Sequence, residues 1–463
     1  MNGRRPHGLS QRDRTELLPM LWDLWTRYAA APAPPHLDRW LARELSGLDG
    51  LKRTQRLWLG AQLTHAVRFA WLALLCHEAS GRPPRAALAH ARAGVSDSAG
   101  TWQRLQAVPP PALFFWVFLR RREDGGQPPR LDEPRPGAVN DWHRLRSSLA
   151  GETDLGARLI WAGLPVTLRE PLQRRRPLSG WTESELRLFV DRQAQRPPLW
   201  LRVRRLEDRQ TVIEELRAAG FRVEVHDLAL AADGDRGIYD LACHREGLVE
   251  IQDLASQAIG QAVQAEKGQF IWDCCAGGGG KSLQLAAAMG NTGAVYATDA
   301  SVERLADLRR RVKRAGFTCV RAHAWDGAVL PDFGRTVARR GGFDRVLVDA
   351  PCSGSGTWRR NPDGRLRADL EDLAPLAALQ GRLLAVAAGA VKPGGRLIYA
   401  TCSWLPAENE EVVAAFLAAR ADFALCEQGL RGNPAQDADT VFCAVLERTR
   451  SNGMISEDGR AAN

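Results

Sequence analysis

The sequence is poor in lysine, lacks paired cysteine motifs and lacks a long apolar run. Only five of its 63 basic residues are lysine. This arginine bias can reflect the composition of the whole genome as well as a surface that attracts polyanions. The nine cysteines contain no C-x-x-C pair, which argues against structural zinc and a disulfide framework and favours a reducing compartment. The longest apolar stretches, Phe69–Cys76 and Ala112–Leu119, are too short to span a bilayer and predict buried helix segments.

Positive charge is concentrated in the N-terminal part of the chain. The formal net charge is +9, and residues 1–260 carry 38 basic and 31 acidic side chains, against 25 and 23 in residues 261–463. A basic surface attracts polyanions such as RNA. The first ten residues are polar and lack the apolar core of a signal peptide. We therefore expect a cytoplasmic protein without membrane contact, whose residues 1–140 bind RNA or a partner protein.

Periodicity and turn-forming residues divide the chain into five segments. These are a helical N-terminal domain (1–122), a linker rich in Pro, Gly and charge (123–140), a helical and small α+β region with expected RNA binding (141–246), an α/β domain (247–449) and a disordered tail (450–463). Tryptophans at helical spacing in the first segment are predicted to lie in its core rather than to stack on RNA bases: Trp22, Trp25, Trp40, Trp58 and Trp71.

Short apolar runs alternate with helical patterns in the α/β domain, which predicts a doubly wound, mostly parallel sheet. Its strands are predicted at Phe270–Trp272, Val295–Thr298, Thr318–His323, Val346–Val348 and Leu397–Ala400, with helices at Leu283–Met289, Val302–Ala315 and Leu376–Val391. Lys392-Pro393-Gly394-Gly395 is interpreted as a helix stop before the last strand. Ligands of such sheets bind at the carboxyl ends of the strands.

A glycine-rich turn, Asp273–Ser282, lies between a predicted strand and a predicted helix. Its four glycines allow close backbone approach to a ligand. A P-loop requires glycine where Cys275 stands, and the glycine run meets the G-x-G-x-x-G spacing of dinucleotide folds only imperfectly. A loop for S-adenosylmethionine fits better, because Asp299 follows the next strand and could bind ribose hydroxyls. Asp326, after the third strand, is the candidate for the adenine edge; solvated carboxylates are the alternative for both.

Two cysteines follow predicted strands: Cys352 in Asp349-Ala350-Pro351-Cys352-Ser353-Gly354-Ser355-Gly356 and Cys402 in Tyr399-Ala400-Thr401-Cys402-Ser403. Carbon 5 of cytosine is a poor nucleophile, and a thiolate that adds to carbon 6 makes carbon 5 reactive. A second thiol could assist release, and Asp349 could hydrogen-bond the ring. The other cysteines are interpreted as small buried residues (Cys76, Cys243, Cys319, Cys426, Cys443) or as shaping the loop (Cys274, Cys275).

These motifs resemble the Sun/RsmB-type RNA (cytosine-5)-methyltransferases, which depend on S-adenosylmethionine. The resemblance runs from about Gly247 to Leu446 and includes Val249–Gln257, the glycine-rich loop, both cysteine motifs, Arg359-Arg360-Asn361-Pro362-Asp363, Lys392–Gly395 and Glu408-Asn409-Glu410. It implies a Rossmann-like class I methyltransferase domain, with Cys402 as nucleophile and Cys352 as the residue that aids product release. It also implies a cofactor site lined by Cys275, Ala276, Gly277, Gly278, Gly279, Gly280, Lys281, Asp299, Asp326 and Asp349, and no metal.

The resemblance also sets expectations for substrate and partners. It implies methylation of carbon 5 of a cytosine in RNA, with rRNA or a ribosomal assembly intermediate first and tRNA second, by a monomer. Two alternatives remain: a ribosome-assembly protein that binds RNA with little catalysis, and DNA-type chemistry with Cys352 as nucleophile. Arg359 and Arg360 could offer guanidinium groups to an RNA backbone or form a solvated face. The family's usual loop has proline at the position of Gly278, and the glycine of this chain loosens the loop.

Overall fold

The computed structural model describes residues 9–79, 98–150, 154–234, 237–368, 370, 372–432 and 434–450. The chain forms two compact units, one of Met1–Pro197 with Ser353–Leu373 and one of Pro198–Cys352 with Ala374–Asn463. The predicted boundaries at 122, 140 and 246 stay predictions. The division into two units does not use these boundaries, because one unit includes all of residues 1–197. The predicted disordered tail lies outside the described residues beyond Arg450.

The α-helices, in chain order, are α1 (Gln11–Glu16), α2 (Leu18–Ala29), α3 (Leu37–Ser46), α4 (Arg53–Arg68), α5 (Ala70–Glu78), α6 (Ser98–Ala107), α7 (Pro110–Glu123), α8 (Ala138–Ala150), α9 (Leu155–Trp161), α10 (Arg169–Leu178), α11 (Glu183–Arg192), α12 (Arg209–Ala218), α13 (Ala242–Arg245), α14 (Leu254–Ala262), α15 (Gly280–Ala288), α16 (Val302–Ala315), α17 (Arg335–Arg339), α18 (Gly364–Arg367), α19 (Ala374–Ala388) and α20 (Glu410–Ala419). The strands are β1 (Leu199–Val203), β2 (Arg222–His226), β3 (Ala229–Asp233), β4 (Val249–Ile251), β5 (Phe270–Asp273), β6 (Ala294–Asp299), β7 (Val320–Ala324), β8 (Phe343–Ala350), β9 (Val391–Thr401), β10 (Phe423–Arg431) and β11 (Val441–Arg448).

The first unit contains α1–α11 and α18. Its apolar core draws buried side chains from α2–α9 and Leu366 from α18. Trp25, Trp40 and Trp71 are buried in this core, and Trp22 and Trp58 pack against it partly buried, which confirms the prediction that these tryptophans are core residues. No single helix in the described ranges is long and apolar enough to cross a membrane; α4 and α5 reach that length and composition only together, across a bend of 63°.

The second unit contains two sheets. A four-stranded antiparallel sheet has the order β2-β3-β1-β4, and α12 supplies Val212, Ile213 and Leu216 to the core that it shares. A seven-stranded sheet has the order β10-β11-β9-β8-β5-β6-β7. In this sheet β5 to β9 run parallel, whereas β11 pairs antiparallel with both of its neighbours, β9 and β10. The strand order reverses between β5 and β8, and such a switch point opens a crevice at the strand ends.

The predicted strands and helices of the α/β domain are present, with longer strands at most positions, although the helix predicted to reach Val391 ends at Ala388. The structure adds β4, β10, β11, α14, α17 and α20. One interpretation is wrong in part. The helix α19 stops at Ala388, but Lys392–Gly395 lies inside β9. The pairing with β8 shifts register between Phe343 and Arg345, so the strand carries a bulge there. A bulge accommodates proline and glycine that a regular strand would exclude.

Candidate active site

The two predicted thiols lie side by side because neighbouring parallel strands end together. Strands β8 and β9 pair in parallel with Ala350 opposite Thr401. Cys352 and Cys402 follow these ends, and their Sγ atoms are 3.2 Å apart. Both side chains are partly exposed. The sheet register therefore brings together two cysteines that are 50 residues apart in the sequence.

Asn409 holds the Cys402 turn from both sides. The hydroxyl of Thr401 donates to Asn409 Oδ1 at 2.6 Å, and Asn409 Nδ2 donates to the carbonyl of Ser403 at 3.1 Å. Asn409 is fully buried, so neither bond competes with water. The residues before and after Cys402 are thereby fixed by one amide side chain.

Gln380 connects the Cys352 turn to the same support. Its Nε2 donates to the carbonyl of Pro351 at 2.9 Å and to Glu408 Oε1 at 3.1 Å. Gln380 and Glu408 are both fully buried. Because Glu408 directly precedes Asn409, the turns that carry Cys352 and Cys402 share a single buried polar framework.

The glycine-rich loop joins β5 to α15 with a conformation that requires glycine. Gly277 has φ 54° and Gly279 has φ 86°, values that side chains rarely adopt. A Cβ atom on Gly279 would also lie 2.7 Å from Leu308 Cγ, whereas one on Gly277 would meet nothing within 4 Å. The loop backbone is therefore open to a ligand at Gly277 and packed against α16 at Gly279.

Two predicted acids lie at the adjoining strand ends. Asp299 ends β6 and accepts a hydrogen bond at Oδ2 from the amide of Gly277, at 2.9 Å. Its Oδ1 accepts from the amide of Ser301 at 2.8 Å. Asp326 lies two residues beyond β7, which pairs in parallel with β6, and is exposed. Asp299 thus both shapes the loop and lies beside it, and Asp326 lies at the same edge of the sheet.

Lys281 connects the loop to the thiol edge of the site. Its Nζ donates to Asp349 Oδ2 at 2.7 Å. Burial alone would lower the pKa of Lys281, but attraction and a hydrogen bond to Asp349, with smaller contributions from Asp273 and Cys402, raise that pKa above its ordinary value. The ammonium group therefore stays charged at neutral pH. The cofactor-type loop and the two thiols form one continuous site within the second unit.

Comparison with known proteins shows the family of this chain. The family described as 16S rRNA methyltransferase RsmB/F matches residues 261–449. Ribosomal RNA small subunit methyltransferase B of an Enterobacter species is 32% identical over 334 residues, which are 69% of this chain and 74% of that protein. The chain belongs to the RsmB/F family. The protein of the same name from Serratia proteamaculans is 37% identical over 275 residues, which are 56% of this chain and 61% of the length of that relative.

Solved structures agree with this RsmB/F assignment at the level of fold. The crystal structure of PH0851 has a TM-score of 0.66 at 22% identity and covers 96% of this chain and 100% of that one. The structure of NSun6 from Pyrococcus horikoshii with SFG has a TM-score of 0.52 at 19% identity and covers 61% and 98%. The predicted fold, a Rossmann-like domain with a mostly parallel sheet preceded by helical and small α+β regions, is confirmed.

Sequence reasoning missed one buried acid of this RsmB/F site. Asp273 ends β5 and is fully buried. Ser282 Oγ donates to its Oδ2 at 2.6 Å, while Oδ1 has no hydrogen-bond partner among the described residues. Burial, reinforced by Asp349 and Asp299, raises the pKa of Asp273 to about 7. Its place directly after the predicted strand, as the first residue of the glycine-rich turn, was the available signal.

The remaining cysteines follow the sequence interpretation with one exception. Cys76, Cys243, Cys319 and Cys443 are buried, and so is Cys274 at the start of the loop. The prediction for Cys426 is wrong, because this residue is exposed. It lies on β10, the edge strand of the seven-stranded sheet, where the side chain faces solvent. Burial and the nearby Asp349 raise the pKa of the loop residue Cys275, so it stays a neutral thiol.

The expectation that Arg359 offers its guanidinium to RNA is wrong. Arg359 is buried, and its Nε donates to the carbonyl of Gln195 at 3.2 Å. Its own carbonyl accepts from Arg68 Nη2 at 2.7 Å. Arg365, also buried, donates to main-chain carbonyls that include that of Ala162 at 3.1 Å. These arginines fasten the segment after Cys352 into the helical unit instead of contacting a ligand.

Arg360 lines a basic groove of the helical unit, of about 440 Å³. Its other charged walls are Arg53, Arg56, Arg68, Arg196, Asp38 and Asp363. Burial and the neighbouring Arg360 lower the pKa of Arg196. Burial and the guanidinium groups of Arg359 and Arg196 lower the pKa of Arg68 to about 9. The groove is therefore lined by five arginines and two aspartates, and its charged lining is predominantly positive.

Proposed function

We propose that this protein transfers a methyl group from S-adenosylmethionine to carbon 5 of a cytosine in RNA, with ribosomal RNA as the first candidate. The observation that carries the proposal is the Cys352–Cys402 pair, whose Sγ atoms are 3.2 Å apart beside the glycine-rich loop. The relatives named ribosomal RNA small subunit methyltransferase B support rRNA as the substrate class. Cytosine specificity rests on the chemistry of the two thiols.

The residues of the loop fit the cofactor. S-adenosylmethionine supplies an electrophilic methyl group on its sulfonium. The backbone at Gly277 is open to close approach. Asp299 holds that backbone, and among the described residues each of its oxygens accepts one hydrogen bond. A carboxylate oxygen has further lone pairs with which to accept from ribose hydroxyls. Cys275 to Lys281, Asp299, Asp326 and Asp349 would hold the cofactor.

The thiols divide the covalent work. Cys402 adds as thiolate to carbon 6 of the cytosine, and the ring becomes an enamine whose carbon 5 is nucleophilic enough to take the methyl group. The proton on carbon 5 then passes to a base, the role proposed for Cys352, and the electron pair of that C–H bond forms the ring double bond as the Cys402 thiolate leaves carbon 6. Cys352, in van der Waals range of Cys402 Sγ, aids this release. Asp349, held by Lys281, is placed to hydrogen-bond the ring edge.

An RNA substrate must be unstacked at the target base and held by its backbone. The target cytosine must leave its stack to reach a thiol, which costs a few kcal/mol. The basic groove lined by Arg360 offers guanidinium groups to phosphates, and such contacts position the RNA without reading its sequence. We propose that this groove, lined by residues of α3 and α4, Arg196 and residues 360–363, binds the substrate strand.

Covalent trapping tests the division of roles between the thiols. Cys352→Ala should accumulate a protein–RNA adduct that survives denaturing electrophoresis, because release is slowed after addition. Cys402→Ala should form none. The same band pattern with the two variants exchanged would assign the nucleophile to Cys352, as in DNA-type chemistry. No adduct from any form, together with no methyl transfer, would favour the RNA-binding alternative.

Bisulfite sequencing of total RNA from cells with and without the gene identifies the substrate. Loss of one protected cytosine in rRNA is the expected result, and loss in tRNA instead would correct the substrate class. Purified protein should then methylate either naked rRNA or a ribosomal particle, which separates free RNA from an assembly intermediate. Retention of every mark would contradict the proposal.

A further inference from the structure

An arginine of the helix after the second strand of the parallel sheet holds the cofactor loop. Arg311, on α16, donates from Nη1 to the carbonyl of Gly278 at 2.7 Å. This carbonyl belongs to the middle of the glycine run. A guanidinium that donates to it restrains the backbone where the sequence itself supplies least stiffness.

Arg311 is itself fixed by a buried carboxylate. Its Nε and Nη2 both donate to Glu250 Oε2, at 3.1 and 2.8 Å. Glu250 lies on β4 and its side chain is 5% exposed. Burial raises the pKa of Glu250, but attraction and hydrogen bonds from Arg311 and Arg314 outweigh burial and lower that pKa below its ordinary value. The carboxylate is therefore charged at neutral pH, and the fork of Arg311 is held in one orientation.

Gly278 itself does not require glycine. Its φ lies outside the left-handed range, and an added Cβ would meet only Arg311 Nη1, at 3.3 Å. Proline at this position, as in the family's usual loop, would stiffen the backbone by fixing φ. This chain has the most flexible residue there instead, together with a guanidinium bonded to its carbonyl.

We propose that Arg311, oriented by Glu250, is a positioning residue for cofactor binding that replaces the stiffness of a loop proline. The inference rests on the proposed function, since it assigns the loop to S-adenosylmethionine. Order in the loop before binding lowers the entropy lost on binding. Loss of Arg311 should therefore weaken cofactor affinity while leaving the thiol chemistry of the bound enzyme intact.

The test compares Arg311→Ala with Arg314→Ala in the full chain. Arg314 ion-pairs with the other oxygen of Glu250 but is bonded to no part of the loop in the described residues. We expect Arg311→Ala to weaken S-adenosylmethionine binding, measured by calorimetry, about tenfold, the effect of one hydrogen bond with a charged donor. Its KM for the cofactor should rise with kcat nearly unchanged, and Arg311→Lys should restore part of the affinity. Arg314→Ala should change affinity less than twofold.

A second background makes the test specific to the loop. In Gly278→Pro the loop is stiff without help, so adding Arg311→Ala should cost less than twofold in affinity. Gly278→Ala serves in place of the proline variant if that protein does not fold. Hydrogen exchange of the Gly279 and Gly280 amides without cofactor should accelerate in Arg311→Ala only when residue 278 is glycine.

The outcomes separate this inference from the proposed function. If the unaltered protein does not bind S-adenosylmethionine, the proposed function fails. If it binds and Arg311→Ala binds equally well, or if the loss is the same with glycine and with proline at 278, the positioning role of Arg311 is wrong and the proposed function stands.

Discussion

The Sγ atoms of Cys352 and Cys402 are separated by 3.2 Å. A disulfide requires about 2.05 Å between sulfurs, so a movement of roughly 1 Å would allow these thiols to join. The two roles proposed for them require both to be reduced. The proximity that the proposed mechanism uses for product release would therefore expose the site to oxidation.

We predict that a disulfide oxidant such as oxidised glutathione inactivates the protein reversibly. Each thiol would lose a proton and one electron to the oxidant, which is reduced to two thiols, and dithiothreitol should restore methyl transfer. Peptide mapping without reduction should join the Cys352 and Cys402 peptides. Cys426→Ser, which removes the exposed cysteine of β10, should not protect. Inactivation without that cross-link would contradict the prediction.

Asp273→Asn should stabilise the protein at alkaline pH. The folded-state pKa of about 7 exceeds the ordinary value of 3.8, so the folded protein holds this proton more tightly than the unfolded chain. Asp273 therefore costs stability that grows as pH rises from about 4 to 7 and is constant above, up to about 4 kcal/mol. The melting temperature of the variant should exceed that of the unaltered protein at pH 8, and the difference should shrink toward pH 4.

Asp344→Asn provides a control of opposite sign for this titration. Asp344 accepts a hydrogen bond from the amide of Phe270 at 2.7 Å and forms an ion pair with Lys392. Burial raises its pKa, but these partners outweigh burial and lower it. Its stabilisation is present above the unfolded-state pKa and is lost as pH falls through the folded pKa. Asp344→Asn should thus lower the melting temperature at pH 8; a rise there would show that burial dominates both acids.

Asn409→Ala should impair both stability and catalysis. It removes the hydrogen bonds to Thr401 and Ser403 and leaves their buried polar atoms without this partner. Each buried group left unsatisfied costs about 1–3 kcal/mol of folding free energy. Methylation kcat should also fall, since the Cys402 turn loses its support. Gln252→Ala is the matched control, because Gln252 is buried and bonded to Arg202 and Gln284. That control should lose stability but keep kcat.

Arginines of the basic groove should contribute salt-sensitive RNA affinity. In a variant with Arg53→Ala, Arg56→Ala and Arg196→Ala, the slope of log affinity against log salt should decrease in magnitude by about 2, at about 0.7 per phosphate contact with a single strand. Filter binding at several salt concentrations measures the slope. Arg12→Ala, at a side chain 89% exposed, should leave the slope unchanged. Equal slopes for the triple variant would exclude the groove as a phosphate site.

Local sequence patterns were sufficient for the parts of the site that one segment builds. The alternation of strands and helices indicated the parallel sheet, and the glycine run marked the loop whose Gly277 and Gly279 are left-handed. The positions of Cys352 and Cys402 after predicted strands indicated that both lie at the binding edge. Each of these depends on residues close together in the chain, where periodicity and turn chemistry act.

Burial and exposure that depend on segments far apart in the sequence could not be predicted in the same way. The motif of Arg359 and Arg360 resembles a basic surface, yet Arg359 is fastened to the carbonyl of Gln195 and is buried. Cysteine is usually buried, but Cys426 is exposed because it lies on an edge strand. Neither outcome is encoded by neighbouring residues, because each depends on what packs against the segment.

The sequence by itself determined the chemical groups, the glycine-rich turn and the class of the fold, because these follow from residue type and short-range spacing. Only the tertiary structure decided that the two sulfurs lie 3.2 Å apart, that Asp273 is buried without a partner for one oxygen in the described part of the chain, and that Arg311 bonds the loop at Gly278. These are distances between segments far apart in sequence, and strand register and helix packing set them.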